Sequence, residues 1–402
     1  MTEEPPRAIG GRGRWAVPMH PRSPDEKHRA ATPLELFFDL VFVVAIAAAS
    51  GRLHHAIAQA HVAEGLLSYG IVFFAIWWAW MNFTWFASAY DTDDVPYRLA
   101  TFVQLTGSLI LAAGVPRAFD AHDFSITTFG YVVMRLALVG QWLRAARSDP
   151  PRRGCAHRYA LGVCLCQVGW VTLLFVPREW AMPGFVALVI AELLVPVWAE
   201  RACTTTWHPG HIAERYGLFT IIVLGESVLA ASIAIQSAIQ AGDVTGDLAA
   251  IIVGGLLIVS SMWWLYFDRP MEDLLTSLPR AFAWGYGHYA IFASAATVGA
   301  GLGVAVDHAT QHAEIGSFGA GAVVAVPVAI YLLGLWALHV RLWETSPAGA
   351  GMTPIVAFLV LLTPWTGQAV PLTGLLVSGL LAVKLLIRHR ETNRAGPPPR
   401  SV

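Results

Sequence analysis

Long apolar runs recur along the whole chain, separated by short segments rich in Arg, Asp, Gly and Pro. A helix that crosses the ~30 Å hydrocarbon layer of a bilayer needs ~20 residues, and most of the runs are long enough. Pro354 and Pro364 interrupt the eleventh run, which we therefore expect to be broken or re-entrant. The pattern predicts an all-α, polytopic membrane helix bundle of about twelve transmembrane helices, at residues 33–50, 66–89, 98–115, 125–147, 158–177, 183–200, 212–239, 248–267, 281–303, 317–341, 353–368 and 371–389.

The composition agrees with a membrane protein. Of the 402 residues, 56% are hydrophobic and only 13% are charged, about half the charged fraction of an average soluble protein. The lipid bilayer is thus the predicted partner of most of the chain. Residues 1–31 and 391–402 are polar and rich in Arg and Pro, so we predict that they are disordered arms. We expect no cofactor and no nucleic-acid partner, because no motif or basic face for either is present.

Lys and Arg are distributed unevenly over the predicted loops. With a cytosolic N-terminus, the outer loops receive only Arg52, Arg117 and Arg178, and nearly all of the other Lys and Arg residues fall on the cytosolic side. Cytosolic loops of membrane proteins carry an excess of these residues. The distribution therefore predicts that both termini are cytosolic and that the number of helices is even.

The two halves of the chain carry similar motifs in the same order. The matched pairs are Glu35 with Glu214, Asp91 with Asp268, Tyr97 with Tyr286, and Trp142 with Trp336. Six helices in each half would give both halves the same orientation in the membrane. We predict a parallel internal repeat with one six-helix unit at 32–201 and another at 202–390. Chance matching among Trp- and Leu-rich helices is the alternative.

Carboxylates inside the predicted helices are the first candidates for function. Glu35 and Asp39 lie one turn apart and share a helix face, and Glu226 lies near the middle of the seventh helix. A charged side chain at the centre of a bilayer costs ~2.5–3.5 kcal/mol on insertion scales, so a retained one usually has a use. We predict that these three acids bind a proton or an ion, with Asn82 and His288 as supporting polar groups. A buried, hydrogen-bonded scaffold role is the alternative for Glu226.

Two further ionisable residues lie deep in predicted helices. Arg135 and Glu192 each fall near the middle of a span. Because buried charges are tolerated when they are paired, we expect these two to form an intramembrane ion pair. Structural stabilisation is the favoured role for this pair, and a part in transport is the alternative.

Acidic loops follow the second and the eighth helix. Asp91, Asp93 and Asp94 lie in the first loop and Asp268 in the second, both on the predicted cytosolic side. Paired carboxylate loops at a membrane face could hold Mg²⁺ and a diphosphate. The favoured interpretation is that these loops are solvated, cap helix ends and bind neighbouring Arg residues. No metal site is therefore among our leading predictions.

Four segments together carry a family resemblance. They read PLELFFDLVFV at 33–43, WAWMNFTWFASAYDTDD at 78–94, ERYGLFTIIVLGES at 214–227 and WWLYFD at 263–268. In this order they resemble the bacterial low-temperature-requirement protein A family over roughly residues 32–390. The resemblance implies a multi-pass protein of the bacterial inner membrane. It implies no activity, because the family name describes cold growth and not a reaction.

A weaker likeness concerns the first helix. The segment FDLVFVVAI at 38–46 is similar to the opening of potassium channels built from two six-helix repeats in a dimer. The likeness makes a homodimer an expectation. In the second half Leu218 stands where the acid would be, which argues against a four-fold pore built from first helices.

The leading functional hypothesis is a channel or secondary carrier for a proton, a cation or a small solute. Its basis is the acids of helices one and seven, the twelve spans and the repeat. One alternative is a Mg²⁺-dependent enzyme that acts on a lipid diphosphate through the acidic loops. The other is a non-catalytic membrane scaffold or sensor. The sequence contains no residue set that selects one ion or solute, and the oligomeric state also stays open.

Overall fold

The structure is a computed structural model that describes residues 15–24, 26, 29–243, 245–343 and 347–395. The parts of the predicted terminal arms at 1–14, 25, 27, 28 and 396–402 lie outside these residues. Throughout the described ranges, regular structure is helical and no strand is present. The long helices are α1 Pro33–Ala58, α2 Val62–Tyr90, α3 Val95–Asp120, α4 Ser125–Ser148, α5 Arg153–Leu173, α6 Arg178–Glu200, α7 Pro209–Ala241, α8 Gly246–Phe267, α9 Leu278–Ala309, α10 Ser317–Leu335, α11 Pro347–Leu362 and α12 Ala369–Ala395.

The prediction of an all-α polytopic membrane bundle is confirmed. In the described part of the chain, eleven helices are long and apolar enough to cross a membrane. The remaining long helix, α5, corresponds to the predicted fifth span at 158–177. It carries the polar residues His157, Arg158 and Gln167, and it is not among these eleven helices.

Two helices near the C-terminus depart from regular α-helical geometry. α10 continues through a π-helical turn at Trp336–Val340 and ends at Trp343. α11 ends in a 3₁₀ turn at Thr363–Thr366, where Pro364 removes a backbone donor. The segment Gly349–Thr366 is nevertheless among the helices that are apolar enough to cross a membrane.

The chain divides into two compact units. The first unit contains residues 1–48 and 71–216, and the second contains residues 49–70 and 217–402. In the first unit, α3, α4, α5 and α6 pack in sequence order. In the second unit, α8 packs against α12, and α9 packs against α10. The six-helix repeats at 32–201 and 202–390 stay a prediction.

Residues near the N-terminus lie against the C-terminal end of α2. We call residues 15–24, 26 and 29–31 the N-terminal strap. The guanidinium of Arg29 donates to the carbonyl oxygens of Ala87, at 2.6 Å, and Ser88, while the Arg22 amide donates to Ala89 at 2.9 Å. The last carbonyls of a helix have no partner within the helix. The strap satisfies three of them in α2.

Candidate functional site

Asp39 of α1 is fully buried in a charged contact within the first unit. Its Oδ1 lies 2.6 Å from Nη2 of Arg215, a residue of α7, and its Oδ2 accepts from Nε of the same guanidinium at 3.2 Å. The indole Nε1 of Trp80 donates to Oδ1 at 2.7 Å. This two-pronged contact matches the planar fork of a guanidinium to a carboxylate, which is the strongest common ion-pair geometry.

Glu35 joins the same cluster one helical turn earlier. Its Oε1 lies 2.8 Å from Nη1 of Arg215 and 3.0 Å from Nε2 of His211. Its Oε2 accepts from the Thr32 amide at 2.8 Å, so Glu35 also caps the start of α1. One guanidinium therefore lies between two buried carboxylates, and a neighbouring imidazole contacts one of them.

Arg215 and His211 were absent from the site that we predicted. Arg215 was assigned to the cytosolic excess of positive charge, and it lies in the segment 214–218, which we matched to 35–39. The signal that could have identified it is the depth of Asp39, because a charged acid inside a membrane helix is best tolerated when a cation pairs with it. The sequence does not indicate which helix supplies that cation.

Glu226 of α7 is buried in the second unit in a different environment. The side chain of Ser50 hydrogen-bonds the carboxyl group of Glu226. The Ser50 hydroxyl also lies 2.9 Å from the carbonyl oxygen of Ala296 in α9 and donates to it. Within the described residues, Oε2 of Glu226 has no hydrogen-bond partner. In contrast to Asp39, Glu226 has no ion pair in the described part of the chain.

The predicted supporting residues have partners of their own. Asn82 donates to the Trp78 carbonyl of its own helix at 2.8 Å. His288 is fully buried in the second unit, with Nε2 3.0 Å from the Tyr266 hydroxyl and Nδ1 2.7 Å from the Trp284 carbonyl. Because a carbonyl can only accept, Nδ1 carries the proton and Nε2 accepts from Tyr266.

Arg135 and Glu192 are adjacent and almost fully buried in the first unit. Nη2 of Arg135 donates to Oε2 of Glu192 at 2.8 Å. The other donors to this carboxylate are Trp78, Tyr131, Gln167 and Trp170. A carboxylate with this many donors is held in one position. The geometry is that of a structural ion pair, and its role stays a prediction.

The acidic residues after α2 have Arg or backbone partners. Asp93 contacts Arg98 at the exposed surface, and Asp94 accepts from the amides of Val17 and Tyr97 and from Arg144. Burial tends to raise the pKa of Asp94, but these hydrogen bonds hold its pKa below the usual value. Burial, and next the nearby Glu35, raise the pKa of Asp91 to about 7.

The second acidic loop follows α8. Asp268 is paired with Arg388 of α12. In the ranges that the structure describes, no three His, Cys, Asp or Glu side chains lie together in an arrangement that could hold a metal ion. The contacts that these carboxylates make are those of helix caps and ion-pair partners, and the Mg²⁺ site stays an alternative prediction.

Comparison with known proteins relates the chain to one family. A family model described as bacterial low temperature requirement A protein (LtrA) matches residues 30–387. An uncharacterised protein of Rhizobium meliloti is 29% identical over 284 residues, which covers 66% of this chain and 67% of that protein. The residues that the family model matches include Asp39, Arg215 and Glu226.

Proposed function

Because the chain belongs to the bacterial low temperature requirement A family, whose name describes a growth phenotype, we propose from its own chemistry that it is a membrane transport protein in which Glu226 binds and releases a proton. It is a bacterial multi-pass membrane protein with eleven apolar helices in the described chain. The proton is either the transported ion or the ion that drives movement of another cation or a small solute.

The burial of Glu226 supports this proposal most directly. The residue is 5% exposed and lies near the middle of the apolar helix α7. An ionised carboxylate that is removed from water without a cation costs several kcal/mol. Such a group stays neutral by holding a proton, or it binds a cation when it is charged.

The hydrogen bonds of Ser50 favour the proton over a metal cation. A hydroxyl group has a single hydrogen to donate, and Ser50 donates it to the carbonyl oxygen of Ala296. With that hydrogen on Ala296, the proposal assigns Glu226 as the donor in its contact with Ser50. A carboxyl group donates only in its protonated form.

Glu35 and Asp39 have a different part in the proposal. Arg215 compensates their charge, so a proton or cation would have to compete with a bound guanidinium for them. We propose that these two acids form a second ion-binding position, used when Arg215 moves away from one of them. Asn82 and His288 act as supporting polar groups in the proposal. Asn82 bonds within its own helix, and His288 also bonds Tyr266 of α8.

Proton flux into proteoliposomes tests the role of Glu226. A membrane potential set with potassium and valinomycin drives protons inward, and a trapped pH-sensitive dye reports them. We expect flux above that of empty liposomes for the natural chain, and a reduction of at least about tenfold for Glu226→Gln, which cannot exchange a proton. Glu64→Gln is the matched control, because Glu64 is an exposed acid in the first turn of α2.

A second measurement does not depend on the identity of a solute. Infrared difference spectra of the purified protein should contain the C=O band of a protonated carboxyl group that disappears in Glu226→Gln and persists in Glu64→Gln. Equal proton flux in Glu226→Gln and the natural chain would contradict the proposal. So would the absence of that band at every pH at which the protein is folded.

A further inference from the structure

A second buried carboxylate, Asp91, lies directly after α2 and under the N-terminal strap. Its side chain is 4% exposed. Oδ2 lies 3.3 Å from Nη1 of Arg22 in the strap. This contact is long for a charge-assisted hydrogen bond, so Asp91 is buried with a weakly placed cation.

Arg22 has a closer partner within the strap. Its Nη2 lies 2.7 Å from Oε1 of Glu26, and its Nε donates to Oε2 of the same carboxylate at 3.1 Å. The guanidinium is therefore engaged chiefly by Glu26. Asp91 competes for a cation that another carboxylate already neutralises.

Among the residues that the structure describes, the charged and titratable groups around Asp91 come from four elements. They are Arg22 and Arg29 of the strap, Glu35 of α1, Asp93 of the same loop, and Tyr97 and Arg98 of α3. The cations among them have partners of their own. Arg29 donates to a carbonyl at the end of α2, and Arg98 is paired with Asp93. We propose that Asp91 is a proton-binding site, and that its bound proton holds the strap on the end of α2.

The neighbouring carboxylate shows why the site is specific to Asp91. Asp94 also contacts the strap, through the Val17 amide, but it receives Arg144 and a second backbone amide. Those donors keep Asp94 charged. In the described chain the ion-pair partner of Asp91 is the shared Arg22. Asp91 is therefore the acid of this loop whose charge changes near neutral pH, in agreement with its pKa of about 7.

The direction of the pH effect follows from linkage. A strap that leaves α2 exposes Asp91 to water, where the pKa of an aspartate is about 3.9. Because the docked state has the higher pKa, it binds the proton more tightly, and docking weakens as pH rises through about 7. Between pH 6 and pH 8 the docking constant should fall about tenfold.

Hydrogen exchange of two strap amides measures the docking constant of the strap, with the full chain in nanodiscs. The Arg22 amide donates to Ala89 and the Val17 amide donates to Asp94, so both exchange only when the strap opens. Protection factors, corrected for the intrinsic exchange rate at each pH, should be about tenfold lower at pH 8 than at pH 6. The amide of Asp149, bonded to Ala145 in the same unit, is the internal control and should not change.

Two variants separate the proposal from a general loosening of the fold. Asp91→Asn should abolish the pH dependence and keep the strap protected at pH 8. Glu26→Gln retains Asp91 but frees Arg22 for it, so the midpoint of the transition should shift to lower pH. A change of less than twofold in the natural chain, an unchanged tenfold effect in Asp91→Asn, or an unshifted midpoint in Glu26→Gln each overturns the proposal. None of these results depends on Glu226 or on transport.

Discussion

At the scale of single residues, Arg215 determines how α1 tolerates two acids. Asp39 and Glu35 would each be costly in a membrane helix, and one guanidinium contacts both. Glu226 has no such cation in the described chain, and its carboxyl group is hydrogen-bonded by a serine. Buried carboxyl groups are thus held in two ways, by an ion pair in the first unit and by a hydroxyl group in the second.

Removal of the guanidinium should destabilise the first unit strongly. We expect Arg215→Gln to lower the free energy of unfolding by about 3–5 kcal/mol, because it leaves two buried carboxylates without their cation. Asp39→Asn introduced into that variant should recover part of the loss, since one of the two charges is then removed. Denaturant unfolding in detergent micelles measures both effects.

The matched control for this prediction is Arg98→Gln. The Arg98–Asp93 pair is exposed, with side chains 52% and 47% accessible, and exposed pairs contribute about 0–1 kcal/mol. A loss for Arg215→Gln no greater than that for Arg98→Gln would show that the buried contact does not stabilise the fold.

At the scale of helices, the contact between α3 and α4 depends on two glycines. A Cβ added at Gly130 would meet the backbone nitrogen of Leu111 and the backbone oxygen of Gly107. A Cβ at Gly107 would lie 2.7 Å from the oxygen of Gly130. Small residues let membrane helices approach closely and gain van der Waals contact. The two backbones are therefore in contact at this crossing.

Gly130→Ala should separate α3 from α4. The added methyl group meets backbone atoms, which cannot rotate away as a side chain can, so we expect a loss of about 1–3 kcal/mol. Gly140→Ala is the control on the same helix, because nothing lies within 4 Å of its added Cβ. Alanine is the better helix former by about 1 kcal/mol, so Gly140→Ala should leave stability unchanged or raise it. Equal melting temperatures for the two variants would contradict the close backbone contact between α3 and α4 at Gly130.

At the scale of the whole molecule, the orientation in the membrane is a prediction from charge. Reporter fusions test it at two points. Alkaline phosphatase, active only outside the cytosol, should be active when fused after Ala121, which follows α3, and inactive when fused after Asp149, which follows α4. The reason is the excess of Arg on the side of Asp149. The opposite result at either point would contradict the predicted orientation.

The sequence alone determined the fold class, the existence of the helices and the family. Hydropathy is a local property, so each of the twelve apolar runs could be identified as a helix. The ends were less accurate: the first run was predicted to end at residue 50, and α1 continues to Ala58. α5 is not among the eleven helices that are apolar enough to cross a membrane, and it contains His157 and Arg158. The motifs around Asp39 and Glu226 indicated two of the buried acids. Asp91 and Asp94, which we expected in a solvated loop, have side chains only 4% and 3% exposed.

Only the tertiary structure decided which groups meet. Arg215 and Asp39 are separated by 176 positions, and nothing local to either residue specifies that α7 supplies the cation for α1. The contacts of the strap with α2, and those of Ser50 with Glu226, likewise depend on which elements pack together. Packing creates these contacts, and burial makes them necessary, because a charge or a backbone carbonyl that is removed from water must find its partner within the fold.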